Sequence, residues 1–355
     1  MSRPGRAARK IALVGLGAAA RSIHLPAYAG LGALRVVGGC DLAARPGDFA
    51  FPLVPSVEAM LEQARPDILA VVTPPGQHFD YTRAGLLAGC HVVCEKPLTD
   101  TLDEADAICA LSRKAGRRVV VNNQYRFMNI HAAAKARIGS PDFGDLLFLE
   151  AHQSFFTSES TEAGWRGELK QRTCKEFGTH VFDLCRFFFG EDPQAVTARM
   201  PRPGRPDGPD YLNLVRLDFS GDRAAHVTLD RLCRGPHRYL TLRLDGSAGF
   251  VETRIGGGIE VGAGIRAGTR RPFLEWDASF GGRARLYHGE RFRKLASDPI
   301  DVFARATGRL MEAFLDALDR GAVPPCDAED NRRTLALMLA AYESDANRAT
   351  ITMKY

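Results

Sequence analysis

The sequence has no cysteine pair spaced C-x-x-C and no uninterrupted apolar run long enough to cross a bilayer. Its 8 cysteines often lie within apolar segments, which is typical of buried thiols and predicts a cytoplasmic protein without disulfides or a metal site. The formal net charge is +5, and part of it lies in the first nine residues. No basic stripe with interleaved aromatic residues follows, so we expect neither a nucleic-acid partner nor membrane attachment.

The length of 355 residues favours two domains after a flexible tail at residues 1–9. Residues 10–126 alternate short apolar strands with helical patterns, which is typical of a Rossmann domain with a parallel sheet. Residues 127–355 contain strand-like segments separated by Gly, Pro and Asp turns, and they end in two helices. The predicted fold class is therefore α/β, with a C-terminal α+β domain whose sheet is mostly antiparallel and open.

Hydrophobic periodicity predicts the individual elements of both domains. In the first domain it predicts strands at Ile11–Val14, Leu34–Cys40, Ile68–Thr73, His91–Cys94 and Arg118–Asn122, and helices at Val57–Gln63, Phe79–Ala88 and Leu102–Ala115. In the second domain it predicts helices at Cys174–Phe189, Asp301–Arg320 and Ala328–Arg348, and strands at Tyr211–Phe219, Ala224–Leu232, Tyr239–Leu244 and Gly249–Ile255. Asp245-Gly246 is predicted to turn between two of these strands.

A glycine fingerprint follows the first apolar strand: Gly15-Leu16-Gly17-Ala18-Ala19-Ala20. This spacing is expected where a strand turns sharply into a helix that binds the pyrophosphate of a dinucleotide. Gly15 permits the tight turn, and Gly17 lets the backbone approach the phosphates. The N–H groups of Ala18 and Ala19, at the start of the helix, are expected to face the negative charge.

Asp41 ends the second predicted strand. A carboxylate at this position accepts hydrogen bonds from the adenosine ribose hydroxyls and repels a 2′-phosphate, which favours NAD. Arg45 follows four residues later. Because it could pair with that phosphate, NADP stays possible.

Two further motifs end neighbouring predicted strands: Thr73-Pro74 and Glu95-Lys96-Pro97. The carboxyl ends of parallel strands meet at the edge where open α/β sheets bind ligands. A lysine at this edge can meet a substrate. Pro97 lacks an N–H and fixes its own backbone, so it stiffens the segment that presents Lys96.

These motifs, together with Gly178-Thr179-His180-Val181-Phe182-Asp183, resemble the Gfo/Idh/MocA family of glucose-fructose oxidoreductases and inositol dehydrogenases. The resemblance covers nearly the whole chain. It implies an enzyme that uses NAD or NADP to transfer hydride to or from a secondary hydroxyl or ketone of a sugar, polyol or sugar derivative. Because such proteins pair through the open sheet face, it also implies a homodimer or homotetramer.

Carried onto this sequence, the resemblance makes Lys96, Glu176 and His180 the catalytic group, with Asp183 nearby as a substrate-binding residue. Glu176 and His180 stand at i and i+4 on the predicted helix, so their side chains emerge on one face. An unperturbed imidazole has a pKa of about 6.5 and is the natural base. Lys96 would hold the substrate oxygen and stabilise developing alkoxide charge.

The resemblance implies further ligand contacts on both sides of the reacting centre. Expected cofactor neighbours besides the glycine turn, Asp41 and Lys96 are Thr73, Pro74, His78, Glu95, Gln124 and Arg166. Arg126 is expected to bind substrate together with Lys96, Glu176, His180 and Asp183.

One segment departs from the family pattern, in which a Gly-rich stretch and an aspartate precede the histidine. This chain has Lys170-Gln171-Arg172-Thr173-Cys174-Lys175-Glu176 instead. We expect a reshaped pocket in which Lys170, Arg172 or Lys175 adds positive charge near the rim, unless these side chains only cover a solvated turn.

Two other functions stay open. A redox-cycling NAD-dependent glycosidase or lyase would oxidise a carbon transiently, eliminate a neighbouring group and return the hydride. A non-catalytic regulator would bind dinucleotide and sugar without turnover. The pair of Lys96 and His180 argues against the regulator, since a sensor needs no proton-transfer residues.

Overall fold

The computed structural model describes residues 8–157, 166–167, 169–235, 238–265, 272–289 and 291–355. The chain divides into two compact units, which we call unit 1 and unit 2. Unit 1 comprises the chain up to Gln124 together with Phe303–Ala336, and unit 2 comprises Tyr125–Val302 and Leu337–Tyr355.

This division differs from the predicted single boundary after residue 126, because the chain returns to unit 1 near its end. The return is held by contacts that sequence periodicity does not reveal, such as the Asn123–Asn331 side-chain hydrogen bond and the bridge between Val120 and Asp327. The predicted flexible tail at residues 1–9 also extends too far along the chain. Residues 1–7 lie outside the described residues, but Arg9 already begins a strand and forms an ion pair with Asp319.

Unit 1 contains a five-stranded parallel sheet with strand order β2-β1-β3-β4-β5. Its strands are β1 (Arg9–Val14), β2 (Leu34–Cys40), β3 (Ile68–Val71), β4 (His91–Cys94) and β5 (Val119–Val121). Its early helices are α1 (Leu25–Ala29), α2 (Val57–Ala64), α3 (His78–Leu87) and α4 (Leu102–Ala115). The residues of β3 and β5 are all buried, as expected for parallel strands covered on both faces.

The helix ends of unit 1 follow local capping chemistry. At the start of α4, Thr101 accepts from the Glu104 N–H while the Glu104 carboxylate accepts from the Thr101 N–H. The helix ends at Gly116 in the left-handed conformation with φ of +61°, which glycine adopts without strain. These signals explain why the predicted bounds of this helix are correct.

Unit 2 contains a nine-stranded sheet with strand order β15-β14-β11-β10-β6-β9-β8-β7-β16. The strands are β6 (Leu146–Ser154), β7 (Ala195–Arg199), β8 (Leu212–Asp218), β9 (Ala224–Asp230), β10 (Arg238–Gly246), β11 (Phe250–Ile255), β14 (Gly282–His288), β15 (Arg291–Asp298) and β16 (Ile351–Thr352). Among the strands that the structure describes in this sheet, β6 and β9 are the only parallel pair, so the sheet is mostly antiparallel, as predicted. A separate hairpin pairs β12 (Gly258–Ile265) with β13 (Pro272–Ser279).

The helices of unit 2 include α5 (Asn129–Lys135) and α6 (Thr179–Phe189). Of the two long helices near the end of the chain, α7 (Val302–Arg320) lies in unit 1 apart from its first residue, and α8 (Ala328–Asn347) begins in unit 1 and ends in unit 2. The predicted Asp245-Gly246 turn is wrong by two residues, since β10 runs through Gly246 and the chain reverses at residues 247–249 before β11. No helix within the described ranges is both long and apolar enough to span a membrane.

Candidate active site

The glycine turn after β1 has the shape that the fingerprint predicts. Gly15 has φ of +85°, and a Cβ there would lie 2.5 Å from the Val72 carbonyl oxygen, so only glycine fits. At Gly17 a Cβ would meet nothing within 4 Å, and Gly17 and Ala18 are both exposed residues. The turn therefore combines close packing on the protein side with open access for a ligand, and it fits a dinucleotide.

Asp41 lies at the rim of this turn. Its carboxylate accepts from the Leu16 N–H at 2.7 Å and from the Ala43 N–H at 2.7 Å, so its position is held on both sides. Arg21, which the motif did not point to, donates to the Leu16 carbonyl at 3.2 Å and lies 4.3 Å above the Phe49 ring. Both an acidic and a basic side chain therefore border the place where the second strand ends.

Within the described residues, two buried side-chain oxygens at the carboxyl edge of unit 1 have no hydrogen-bond partner. Thr73 Oγ1 follows β3 and Gln124 Oε1 follows β5; each is buried with no hydrogen-bond partner in the part of the chain that the structure describes. A buried acceptor without a partner is costly unless a bound molecule supplies the bond. Both residues were predicted to contact the cofactor, and their orphaned oxygens fit a ligand rich in N–H and O–H groups. Pro74 lies exposed beside them.

Glu95 has a largely buried carboxylate within a polar network. Its Oε1 lies 2.7 Å from His24 Nε2 and accepts from Asn122 Nδ2 at 2.8 Å, while His24 Nδ1 lies 2.8 Å from the Tyr28 hydroxyl. Burial alone would raise the pKa of Glu95, but the hydrogen bond and charge of His24, with Lys96 and Asn122, hold it well below its usual range. Glu95 is thus an internal anion that anchors the backbone just before the lysine. Its predicted contact with the cofactor stays a prediction.

Lys96 is half-buried directly after β4, and His78 lies close to the same segment. The fully buried His78 ring has Nδ1 2.6 Å from the Pro97 carbonyl oxygen and Nε2 2.9 Å from the Thr73 carbonyl oxygen. Both ring nitrogens therefore engage backbone. The predicted contact of His78 with the cofactor stays a prediction.

In unit 2, the segment that carries Glu176 and His180 starts as a wide π-helical turn at Cys174–Gly178 and continues as α6. The prediction of a regular α-helix from Cys174 is wrong in this first turn. Such turns are frequent at functional sites.

Asp210, which sequence reasoning missed, caps the start of that turn. Its fully buried carboxylate accepts from the Arg172 N–H, from Thr173 N–H at 3.0 Å, from Cys174 N–H at 3.0 Å and from the Tyr342 hydroxyl at 3.0 Å. A carboxylate satisfies the first N–H groups of a helix and complements its dipole. It lies in a Pro- and Gly-rich loop, where no local spacing signals a cap for a helix more than thirty residues earlier.

Glu176 is paired on two sides. Its carboxylate lies 3.1 Å from Arg166 Nε and also forms an ion pair with the Arg172 guanidinium. The Arg172 side chain is 2% exposed, so it does not add charge at a solvent-facing rim; that expectation is wrong because the arginine is drawn inward by Glu176. Lys170 is exposed, as a rim residue would be. The cofactor contact of Arg166 stays a prediction.

His180 is buried, and its ring stacks on Tyr125, with centroids 4.1 Å apart and planes inclined by 5°. The Tyr125 hydroxyl donates to the Tyr239 hydroxyl at 3.0 Å. Tyr125 was not among the predicted site residues, because no spacing links it to a histidine fifty-five positions later. Parallel stacking fixes the plane of the imidazole ring.

Arg126 and Asp183, both predicted to bind substrate, form one ion pair. Arg126 Nε lies 2.6 Å from Asp183 Oδ2, and a terminal guanidinium nitrogen contacts Oδ1, so the pairing is bidentate. Asp183 is almost fully buried one turn after His180. Its carboxylate therefore holds Arg126, the more exposed member, in place.

Comparisons with known proteins agree with this architecture. Residues 9–123 match the model of the Gfo/Idh/MocA oxidoreductase family, NAD-binding Rossmann fold. Residues 131–252 match the Gfo/Idh/MocA C-terminal domain. The two matches together span more than half of the chain.

Among curated relatives, the chain is 26% identical over 310 residues to scyllo-inositol 2-dehydrogenase (NADP(+)) IolW of Bacillus subtilis, covering 85% of this chain and 83% of that protein. It is 24% identical over 363 residues to D-apiose dehydrogenase of Paraburkholderia graminis, covering 97% of this chain and 90% of that protein. An oxidoreductase from Agrobacterium radiobacter, solved in complex with NAD+, L-tartaric acid and magnesium, shares the fold with a TM-score of 0.80, 19% identity and 98% coverage of both chains. The chain belongs to the Gfo/Idh/MocA family of oxidoreductases.

Proposed function

We propose that the chain is an NAD-dependent oxidoreductase that acts on a secondary hydroxyl or ketone of a sugar, polyol or sugar derivative. Family membership and relatives named for inositol and apiose support this substrate class. The observation that carries the proposal is the position of Lys96 at the carboxyl edge of β4. It stands between Glu95 and Pro97, each of which is bound by a buried histidine.

The proton transfer is assigned to Lys96 and His180. When bound, the dinucleotide accepts or donates the two electrons at its nicotinamide. The Lys96 ammonium donates a hydrogen bond to the substrate oxygen and stabilises negative charge that develops there. His180, oriented by Tyr125, accepts the hydroxyl proton during oxidation and returns it during reduction.

Substrate orientation is assigned to the remaining predicted residues of unit 2. Arg126, held by Asp183, donates to a substrate hydroxyl, and Glu176 accepts from another. Because Glu176 is itself held by Arg166 and Arg172, its carboxylate presents a fixed acceptor. We therefore infer that the segment that departs from the family pattern gives the substrate site a rigid carboxylate acceptor at Glu176.

NAD is assigned as the cofactor on the strength of Asp41. Its carboxylate is held beside the glycine turn, where it repels a 2′-phosphate. One relative is named for NADP and one similar structure contains NAD+, so the relatives do not distinguish between the two cofactors.

The protein is assigned to the cytoplasm and to a homodimer or homotetramer. None of the 8 cysteines, all of them within the described residues, forms a disulfide, which suits a reducing compartment. The sheet of unit 2 has a face on which Leu214, Arg216 and His226 are exposed, and we assign subunit pairing to this face. Light scattering that shows only monomer would contradict the pairing.

The test is a screen of sugars, polyols, sugar acids and glycosides with NAD and with NADP, following absorbance of the reduced nicotinamide. With the best substrate, Lys96→Ala and His180→Ala should each lower kcat by about 10² to 10⁴-fold and leave cofactor affinity nearly unchanged. Lys114→Ala and His288→Ala, at exposed positions, are the matched controls. Wild-type turnover in both site variants would overturn the assignment.

The same screen separates the other functions. Cleavage of a glycoside with no net reduction of added NAD would indicate the redox-cycling glycosidase or lyase. Tight dinucleotide and sugar binding with no turnover of any compound would indicate the regulator.

A further inference from the structure

His78 is an unusual buried group because both of its ring nitrogens face carbonyl oxygens. The residue begins α3 and is fully buried. Its two acceptors, at 2.6 Å and 2.9 Å, belong to Pro97 and Thr73 and have no hydrogen to donate. A neutral imidazole carries one N–H only, so one of these contacts would then place two lone pairs against each other. Both contacts can be hydrogen bonds only if both nitrogens donate, that is, if the ring is an imidazolium.

The surroundings of the ring agree with this charge. Burial by itself lowers the pKa of His78, but the electrostatic attraction of the Cys94 sulfur and the hydrogen bonds to the two carbonyl oxygens raise that pKa to about 9. Cys94 ends β4 and is the titratable group that faces the ring from the sheet.

The two carbonyls belong to the turns that carry chemistry. Strands β3 and β4 pair up to Val71 and Cys94, and the Glu95 N–H still bonds to the Val71 carbonyl at 2.9 Å. Beyond this point the two strands no longer pair. The His78 ring bridges the segments that follow them, where the ladder of strand hydrogen bonds has ended. Its Pro97 contact lies one residue after Lys96.

We propose that His78 is a positioning residue that, as a doubly donating imidazolium, ties the Thr73–Pro74 turn to the Lys96–Pro97 turn and thereby sets the place of the Lys96 ammonium. The inference rests on the proposed catalytic role of Lys96. Glu95, bound by His24, restrains the preceding residue, so the lysine is anchored on both sides. Loss of the His78 bridge frees only the following side.

The first test compares His78→Gln with wild type. A glutamine amide donates from a single nitrogen and cannot bond both carbonyls. Misplacing a reacting group by an ångström costs about 10²-fold in rate, so kcat per folded molecule should fall by roughly this factor while the substrate KM changes little. His91→Gln, at the opposite end of β4, is the matched control and should keep wild-type kcat.

Chemical rescue separates positioning from a general loss of packing. In His78→Gly, added imidazole should restore a substantial part of kcat, because its cation has two N–H donors. N-methylimidazole, whose cation has one, should not restore it. Equal rescue by both compounds would mean that the ring only fills space, and would overturn the proposal.

A spectroscopic measurement on the wild-type holoenzyme covers the case in which the variants fail to fold. With ¹⁵N-labelled histidine, both His78 ring nitrogens should give the shifts of protonated nitrogen at neutral pH. A neutral tautomer there would refute the inference. Lys96→Ala with wild-type turnover would instead refute the proposed function, whereas an inactive Lys96→Ala beside fully active His78 variants would refute this inference alone.

Discussion

At the scale of single residues, the orientation of His180 depends on a ring that comes from a distant part of the sequence. Tyr125 stacks against the imidazole and also donates to Tyr239, so its ring is fixed at both its face and its hydroxyl. Aromatic stacking contributes about 0.5 to 1.5 kcal/mol beyond the area that it buries. Loss of the ring should therefore release the imidazole.

A pair of variants at Tyr125 separates the ring from its hydroxyl. Tyr125→Phe keeps the stack and should retain kcat within a few-fold, while Tyr125→Leu removes it and should lower kcat by about tenfold, equivalent to about 1.4 kcal/mol. Steady-state kinetics on folded protein gives both numbers. If Leu and Phe were equally active, stacking would not orient the base.

A second residue-scale prediction concerns cofactor choice at Asp41. Asp41→Ala removes a carboxylate that would accept from ribose hydroxyls, and such charged hydrogen bonds contribute about 1.5 to 3 kcal/mol. The ratio of kcat/KM for NAD to that for NADP should fall at least tenfold. Glu58→Ala, an exposed carboxylate in α2, should leave the ratio unchanged. An unaltered ratio in Asp41→Ala would contradict the NAD assignment.

At the scale of elements, the helical segment that carries Glu176 and His180 depends on Asp210. One buried carboxylate receives three backbone N–H groups and the Tyr342 hydroxyl. Asn213 adds a further donor through its side-chain amide at 3.2 Å. The start of the segment therefore has no local cap of its own and is held from another loop.

Removing that cap should disturb both stability and activity. Asp210→Ala leaves several buried donors without an acceptor and should lower the free energy of unfolding by about 3 kcal/mol or more. Chemical denaturation measures this loss, and Asp207→Asn, an exposed neighbour, is the control. A change below about 1 kcal/mol would show that water or another group replaces the cap.

At the scale of the whole molecule, three histidines set opposite pH dependences. Burial lowers the pKa of His131 to about 4, only partly offset by its bond to the Tyr125 carbonyl. Burial, with Arg117, Arg9 and Arg118, lowers the pKa of His91 to about 4, in keeping with the Arg118 N–H that its Nδ1 accepts. The pKa of His78 is shifted in the opposite direction, to about 9.

These shifts predict that the free energy of unfolding is greatest near pH 6.5, which is about the pKa of histidine in the unfolded chain. Below it, His131 and His91 take up protons only on unfolding, so stability falls as the pH drops toward 4. Above it, His78 releases its proton on unfolding, so stability falls as the pH rises through 9.

Because His78 is fully buried, its pKa shift corresponds to about 3 kcal/mol of folding stability. Denaturation across this pH range measures the effect. His78→Gln should lose the decline between pH 6.5 and 9 and keep the acid side, whereas buried thiols such as Cys90, whose pKa is raised to about 11, should preserve the decline above pH 9 in both proteins. The same slope between pH 6.5 and 9 in that variant and in wild type would exclude His78 as its source.

Prediction from sequence was most accurate where local signals act alone. The strands Leu34–Cys40 and His91–Cys94 and the helix Leu102–Ala115 have their predicted bounds, because apolar runs and a capping box mark their ends. Strands such as β14 were missed because they carry buried arginines among apolar residues, which hides the alternation.

The candidate site divides in the same way. The sequence alone determined the glycine turn, the motif around Lys96 and the family, since each depends on residues adjacent in the chain or at fixed spacing. Tertiary structure alone decided that His78 bridges two turns, that Tyr125 stacks on His180, that Arg172 turns inward to Glu176 and that Asp210 caps a remote helix. These partners are far apart in the chain, and a hydrogen bond or ring contact between them has no periodicity, because only folding brings the atoms within reach.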